Sequence, residues 1–288
     1  MRTEYCDTCG NGGQRSTPFE ISAGEEHQLN DSQLYARINE MRIDVFTLFP
    51  TMFLGPLQES ILKRAQERGA LTLLLHQIRD YAFDRHQMTD DVPYGGGHGM
   101  LMKPEPIFRA IRTIVGPEQI PIVLLSPQGR TFNQEIAQEL ASEPRLALIC
   151  GHYEGVDERV RRHLVTQELS IGDYVLTGGE LAAMVVIDAI ARLIPGVLGA
   201  SDGAQADSHA LGMLEGPQYT RPATYAGWDV PGVLRSGNHA AVARWQRRMA
   251  LRRTLERRPE LIEDADLSPE DLALIAELEQ ELSEPDEA

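Results

Sequence analysis

From Met41 onward, short apolar runs alternate with stretches in which apolar residues recur every three or four positions. Ile43 to Phe49 predicts a strand ended by Pro50, Leu54 to Arg68 a helix closed by Gly69, and Leu71 to Gln77 a second strand. After a glycine-rich loop, DDVPYGGGHGM over 90–100, come a helix from Pro106 to Val115, a buried strand from Ile120 to Leu125 and a helix from Asn133 to Ala141. Arg145 to Cys150 predicts a strand, Asp157 to Leu164 a helix, Glu168 to Leu176 a strand-like run and Glu180 to Leu193 a helix. Strands alternating with helices of about ten residues indicate an α/β fold with a largely parallel sheet.

Residues 199–220 form no clear element, and so long a loop in a compact protein is usually functional or a linker. Beyond it, His239 to Arg258 predicts an arginine-studded helix with Trp245 and Met249 on one face. Ser268-Pro269-Glu270-Asp271 then opens a last helix, with a capping serine, proline in the first turn and acids beside the helix dipole. Its apolar stripe is expected at Leu272, Ile275, Leu278 and Leu282. The chain therefore divides into an α/β domain over 41–198, a flexible interdomain loop over 199–214 and a helical domain over 215–288.

Residues 1–40 are rich in Gly, Ser, Glu and Gln and read as a disordered extension ahead of Met41. Its Cys6-x-x-Cys9 and distant His27 leave a tetrahedral zinc site incomplete. Three cysteines in 288 residues are too few for a disulfide framework, and no apolar run suits a signal peptide or a membrane span. A cytoplasmic protein is expected, with no membrane partner.

The formal net charge of -16 argues at first against a nucleic-acid partner. Its distribution weakens that argument. Residues 235–258 hold 8 Arg and only Glu256, whereas 259–288 hold 12 acids and no base. A phosphate backbone senses the local patch within a Debye length of about 8 Å, not the total. Arg244, Arg247, Arg248, Arg252 and Arg253 are the expected backbone contacts.

Three strand ends carry unusual loops: SPQGR over 126–130, CGHYEGVDER over 150–159 and SIGDYVLTGGE over 170–180. Ligands of open α/β sheets bind at the carboxyl ends of strands, so these loops should meet in one crevice. Their glycines allow close backbone approach, which suits a heteroaromatic ligand such as adenine. The phosphate loop GxxxxGK[ST] is missing, and so is a GxGxxG set between strand and helix, which disfavours a Rossmann-type enzyme.

The blocks DDVPYGGGHGMLMKPEPI, LSPQGRTFNQ, CGHYEGVDERV, SIGDYVLTGGELAAM, RLIPGVLG, YTRP and VLRSGNHAAVARWQ, in order within a resemblance that runs from Met41 to about Leu282, closely resemble the bacterial tRNA (guanine-N1-)-methyltransferases, the TrmD-type branch of the SPOUT superfamily. The resemblance implies a SPOUT-type parallel sheet with a deep trefoil knot, a homodimer, and methyl transfer from S-adenosylmethionine to N1 of guanosine 37, just 3′ of the anticodon. It places the cofactor at Leu125, Ser126, Pro127, Gly151, Tyr153, Gly155, Ile171, Gly172, Asp173, Tyr174, Val175, Leu176, Gly178 and Gly179. Asp207 matches the general base, Arg192 the catalytic arginine, and Glu154 a residue linked to magnesium. Ser208, Asn238 and His239 join Arg244, Arg247 and Arg248 as expected contacts to the anticodon stem-loop. The sequence departs from the family at Ala182, where many members have proline, and at His98 and His152. Two other readings are a SPOUT enzyme acting on a ribose 2′-hydroxyl, which the acid Asp207 disfavours, and a binding protein without cofactor affinity.

Overall fold

The computed structural model describes residues 19–20, 40–198, 207–209, 212–263 and 265–283. Cys6, Cys9 and His27, nearly all of the expected extension, and most of the 199–214 loop lie outside these. The chain forms two units, Met1–Val197 and Leu198–Ala288.

In the first unit, β1 (Phe19–Glu20), β2 (Met41–Thr47), α1 (Ser60–Glu67) and β3 (Leu71–Gln77) are followed by the short pair β4 (Asp90–Asp91) and β5 (Leu101–Met102). Then come α2 (Pro104–Ile114), β6 (Ile122–Thr131), α3 (Gln134–Ala141), β7 (Arg145–Cys150), α4 (Glu158–His163), β8 (Gln167–Ser170) and α5 (Glu180–Ala191). The main sheet runs in the order β1-β3-β2-β7-β6-β8. All its pairings are parallel except that of β1, which lies antiparallel on the β3 edge. Buried residues cover both faces, as a parallel sheet requires. Val45, Leu73, Leu148 and Ile187 belong to one apolar cluster, and Phe46, Ile107, Ala147 and Val160 to the other.

Three expected elements differ. Gly55 and Pro56 break the Leu54–Arg68 stretch, so two 3-10 turns, Pro50–Phe53 and Pro56–Gln58, precede a helix that starts only at Ser60. β6 continues through SPQGR to Thr131, with an irregularity between Leu125 and Arg130 where its pairing with β8 breaks and resumes. β8 stops at Ser170 because the Ser170 hydroxyl bonds the backbone of Gly172, donating to its carbonyl at 2.9 Å and accepting from its N–H at 3.2 Å.

One buried acid ties three strands together. Asp44 accepts from Arg145 Nε at 2.8 Å, Arg42 Nη2 at 2.8 Å and His76 Nε2 at 2.7 Å. Burial pushes this carboxyl up, and the hydrogen bonds from His76, Arg42 and Arg145 more than offset that, leaving it below the ordinary carboxylate value.

The second unit contains the hairpin β9 (Thr224–Tyr225) and β10 (Trp228–Asp229), then α6 (His239–Arg257), α7 (Glu260–Glu263) and α8 (Pro269–Ser283). Met213, Leu251, Leu274, Ile275 and Leu278 form its core. The buried stripe of α8 is thus Asp271, Leu274, Ile275 and Leu278, while Leu272 and Leu282 of the expected stripe are 55% and 41% exposed. An ion pair explains the rotation. Arg247 Nε and Nη2 donate to Asp271 Oδ1 and Oδ2 at 2.7 and 2.8 Å, and Asp271 also accepts from Ser268 N and Oγ. Ser268 Oγ accepts in return from Asp271 N at 3.2 Å, closing a reciprocal helix cap.

The acidic helix α8 therefore lies against the arginine helix α6. Arg244 faces Glu270 at 3.7 Å, and Arg248 pairs with Glu281. The Arg247 guanidinium, helped by Ser268, holds the Asp271 carboxyl well below the usual carboxylate range. A depressed folded value means that this stabilisation is complete above the unfolded value of 3.8 and is lost as the pH falls toward the folded one. Asp271→Ala, which removes pair and cap together, should destabilise the unit by about 3 kcal/mol at pH 7. Denaturant titrations should show the gap between parent and variant closing as the pH drops below about 4.

A candidate active site at the ends of three parallel strands

Leu125 of β6 pairs with both Cys150 of β7 and Leu169 of β8, so β7 and β8 end beside the irregularity of β6. The SPQGR segment of β6 and the glycine-containing loops after β7 and β8 enclose a cleft open to solvent on one side. Its wall includes every residue expected to hold the cofactor except Asp173, which is exposed and outside the lining. Glu154 lines it as well.

Two glycines let the backbones close in. A Cβ on Gly179 would lie 2.8 Å from Cys150 Cα, and the Gly179 N–H donates to Gly151 O at 2.7 Å. A Cβ on Gly129 would lie 2.4 Å from the Glu168 carbonyl carbon and the Leu169 nitrogen. Both contacts are to main chain, so no side-chain rotation could relieve them. Tyr153, at φ 58°, takes the left-handed conformation at the tip of the middle loop. That loop is strapped to the glycine-rich segment: Glu154 N donates to Met100 O at 3.0 Å and Met102 N to Gly155 O at 2.9 Å.

Cys150 is fully buried under this site. Burial, reinforced by the Glu180 charge, pushes its thiol well above the ordinary value, so it packs as an apolar residue. Glu180, at the start of α5, is also buried and accepts from Thr47 Oγ1 at 2.7 Å. The lining also includes polar residues that were not among the expected site residues, Gln128, His152, Arg161, Ser170 and Thr177. Arg161 resembles any solvated helix charge in sequence, and no spacing rule could have selected it.

Arg192 is the C-cap of α5 in the first unit. Asp207 and Ser208 belong to a turn of the second unit, where Glu215 N donates to Ser208 Oγ at 3.0 Å. Asn238 caps α6, its side chain accepting from Ala241 N at 3.2 Å, and His239 is exposed beside it. Among the described residues no three His, Cys, Asp or Glu side chains gather as a metal site, so Glu154 has no partner ligands there. No described helix is long and apolar enough to cross a membrane.

The sequence model of the tRNA (guanine-1)-methyltransferase family TrmD matches residues 41–264. The chain belongs to this family. It is 59% identical over 240 residues to a tRNA (guanine-N(1)-)-methyltransferase of Dehalococcoides mccartyi, covering 83% of this chain and 97% of that one. A protein of the same name from Chloroflexus aggregans is 59% identical over 243 residues, 82% of this chain and 95% of its own. One from Geotalea uraniireducens is 56% identical over 241 residues, 83% and 98% of the two chains. The family match spans the cleft and residues 198–264 of the second unit, including Arg192 and Asp207.

Proposed function

We propose that the chain transfers a methyl group from S-adenosylmethionine to N1 of guanosine 37 in tRNA. The observation that carries this reading is the three-loop cleft, in which Gly129 and Gly179 bring main chain against main chain within a family of tRNA methyltransferases. The cleft fits the cofactor: apolar Leu125, Ile171 and Leu176 offer faces for adenine beside backbone groups for its edge, and Glu154 offers a negative charge to a cationic tail. Bound there, S-adenosylmethionine would supply an electrophilic methyl group on sulfur.

N1 of neutral guanine carries a proton and is a poor nucleophile until it leaves, so a base must act in the transition state. Asp207 takes that proton. As it departs, negative charge moves toward O6, and Arg192 stabilises it. Holding the target base, unstacked from the anticodon loop, in line with the methyl group supplies most of the remaining acceleration. The chain from β8 to α5 passes close against the β6 and β7 loops at Gly129 and Gly179, and we take this as the crossing of a trefoil knot. The test is incubation with S-adenosylmethionine and unmodified tRNA, followed by nucleoside mass spectrometry. N1-methylguanosine at position 37 is the expected product, and a 2′-O-methylated nucleoside instead would overturn the assignment.

Arg247 and Arg248 hold α6 to α8, so the tRNA backbone falls to Arg244, whose side chain is 68% exposed, and to the Asn238–His239 end of α6. Arg244→Ala should weaken tRNA binding uniformly and lower the slope of log affinity against log salt by about one. Filter binding across a salt series measures both.

The protein acts as a cytoplasmic homodimer. α5 is largely apolar, yet Leu181 and Val185 on its outer face are 50% and 48% exposed beside the exposed Asp188, with Tyr174 and Val175 close in sequence also exposed. A helix of that composition ordinarily lies buried, and a second copy would cover it. Val185→Asp should convert the dimer to a monomer in sedimentation experiments.

A further inference from the structure

Arg161 is the one arginine or lysine among the described residues that line the cleft, and it bridges three segments. Its Nη1 donates to Gln128 Oε1 at 2.6 Å, its Nη2 lies 3.5 Å from Ser126 Oγ, and its Nε lies 3.3 Å from Glu168 Oε1 on β8. A guanidinium has no acceptor, so the Gln128 amide atom that faces it is the oxygen; the flipped amide would set donor against donor. That leaves the Gln128 NH2 group with two hydrogens and no partner among the described residues, on a residue that lines the cleft. The loop beneath is held as well, since Gln128 N donates to Ser126 Oγ at 3.2 Å.

We infer that Arg161 is a positioning residue: through Gln128 it presents an amide donor to an oxygen acceptor of the bound cofactor, a ribose hydroxyl or the carboxylate of S-adenosylmethionine. The inference rests on the proposal that this cleft holds S-adenosylmethionine. Glu168, 3.3 Å from Nε, balances the charge of the guanidinium. A free glutamine would have to fix its rotamer and amide orientation upon binding; with Arg161 in place, much of that ordering cost is met beforehand.

The experiment is calorimetric titration of the full chain, without tRNA, using S-adenosylmethionine and, separately, 5′-methylthioadenosine, which keeps the ribose and lacks the carboxylate. Gln128→Met and Arg161→Met should each weaken S-adenosylmethionine binding by about tenfold, the double variant no more than Gln128→Met alone, and Arg161→Lys should recover most of the loss. Equal losses with both ligands assign the acceptor to the ribose, and a loss with S-adenosylmethionine alone assigns it to the carboxylate. Additive losses, or an Arg161→Met variant that melts earlier with unchanged affinity, would overturn the inference. Should Arg161→Met not fold, Gln128→Met on its exposed loop decides alone: unchanged affinity overturns the inference. An unsubstituted chain that fails to bind S-adenosylmethionine rejects the reading of the cleft itself, a result distinct from any of these.

Discussion

Replacing Asp207 with alanine should lower kcat for guanosine methylation by about 10²–10⁴-fold and leave the affinity for S-adenosylmethionine within about twofold of the parent. The split follows from where the residue lies. Asp207 belongs to the second unit, whereas the lining of the cleft runs from Leu124 to Ala182 in the first. Removing a base therefore takes away proton transfer without touching a cofactor wall. Asp207→Asn is the sharper variant, because it keeps size and hydrogen bonding and loses only basicity. Single-turnover methylation combined with cofactor titration tests the pair. Undiminished turnover in Asp207→Asn would assign the proton to another group.

Gly129→Ala should be the most damaging single change in the cleft. The added methyl would enter the space of the Glu168–Leu169 peptide at 2.4 Å, and that peptide belongs to β8, already paired with β6 on either side of the irregularity. Both partners are main chain within a sheet, so relief requires β6 and β8 to part. Overpacking of this kind costs about 3 kcal/mol, which for a unit of this size lowers Tm by about 10 °C. Cofactor affinity should fall with it, since Ser126, Pro127 and Gln128 ride on the same irregularity. Differential scanning calorimetry with and without S-adenosylmethionine reads both effects. An alanine variant with the parent's Tm would mean that the two strands have room to separate.

Much of this was legible in the chain. β3 and β7 coincide with their predicted limits because both are short, largely apolar and bounded by turn residues. The meeting of three loops followed from parallel strands sharing a carboxyl edge, a consequence of topology alone. The differences have two causes, one local and one distant in sequence. Residues 171–176 contain enough apolar side chains to pass for strand, yet Tyr174 and Val175 are 55% and 81% exposed, because the Ser170 hydroxyl bonds Gly172 and turns the chain out of the sheet. The arginine helix looked like an open cationic face, since the acids that meet it are far away in sequence, Asp271 lying 24 residues beyond Arg247. Helical periodicity reports neighbours three and four apart and is blind to such partners. Arg161 was missed for the same reason, its partners Gln128 and Glu168 lying on other elements.

The placement of Cys150 bears on how the protein can be handled. It is the one cysteine of the α/β unit's described residues, fully buried with a thiol whose ionisation is strongly opposed. Thiolate is the species that maleimides and iodoacetamide attack. Cys150 should accordingly resist thiol reagents while the unit stays folded, and a cysteine introduced on the surface would take up a fluorophore selectively once Cys6 and Cys9 are replaced. Alkylation of Cys150 would then serve as a clock for opening of the core beneath the cleft, read by mass spectrometry without an attached label.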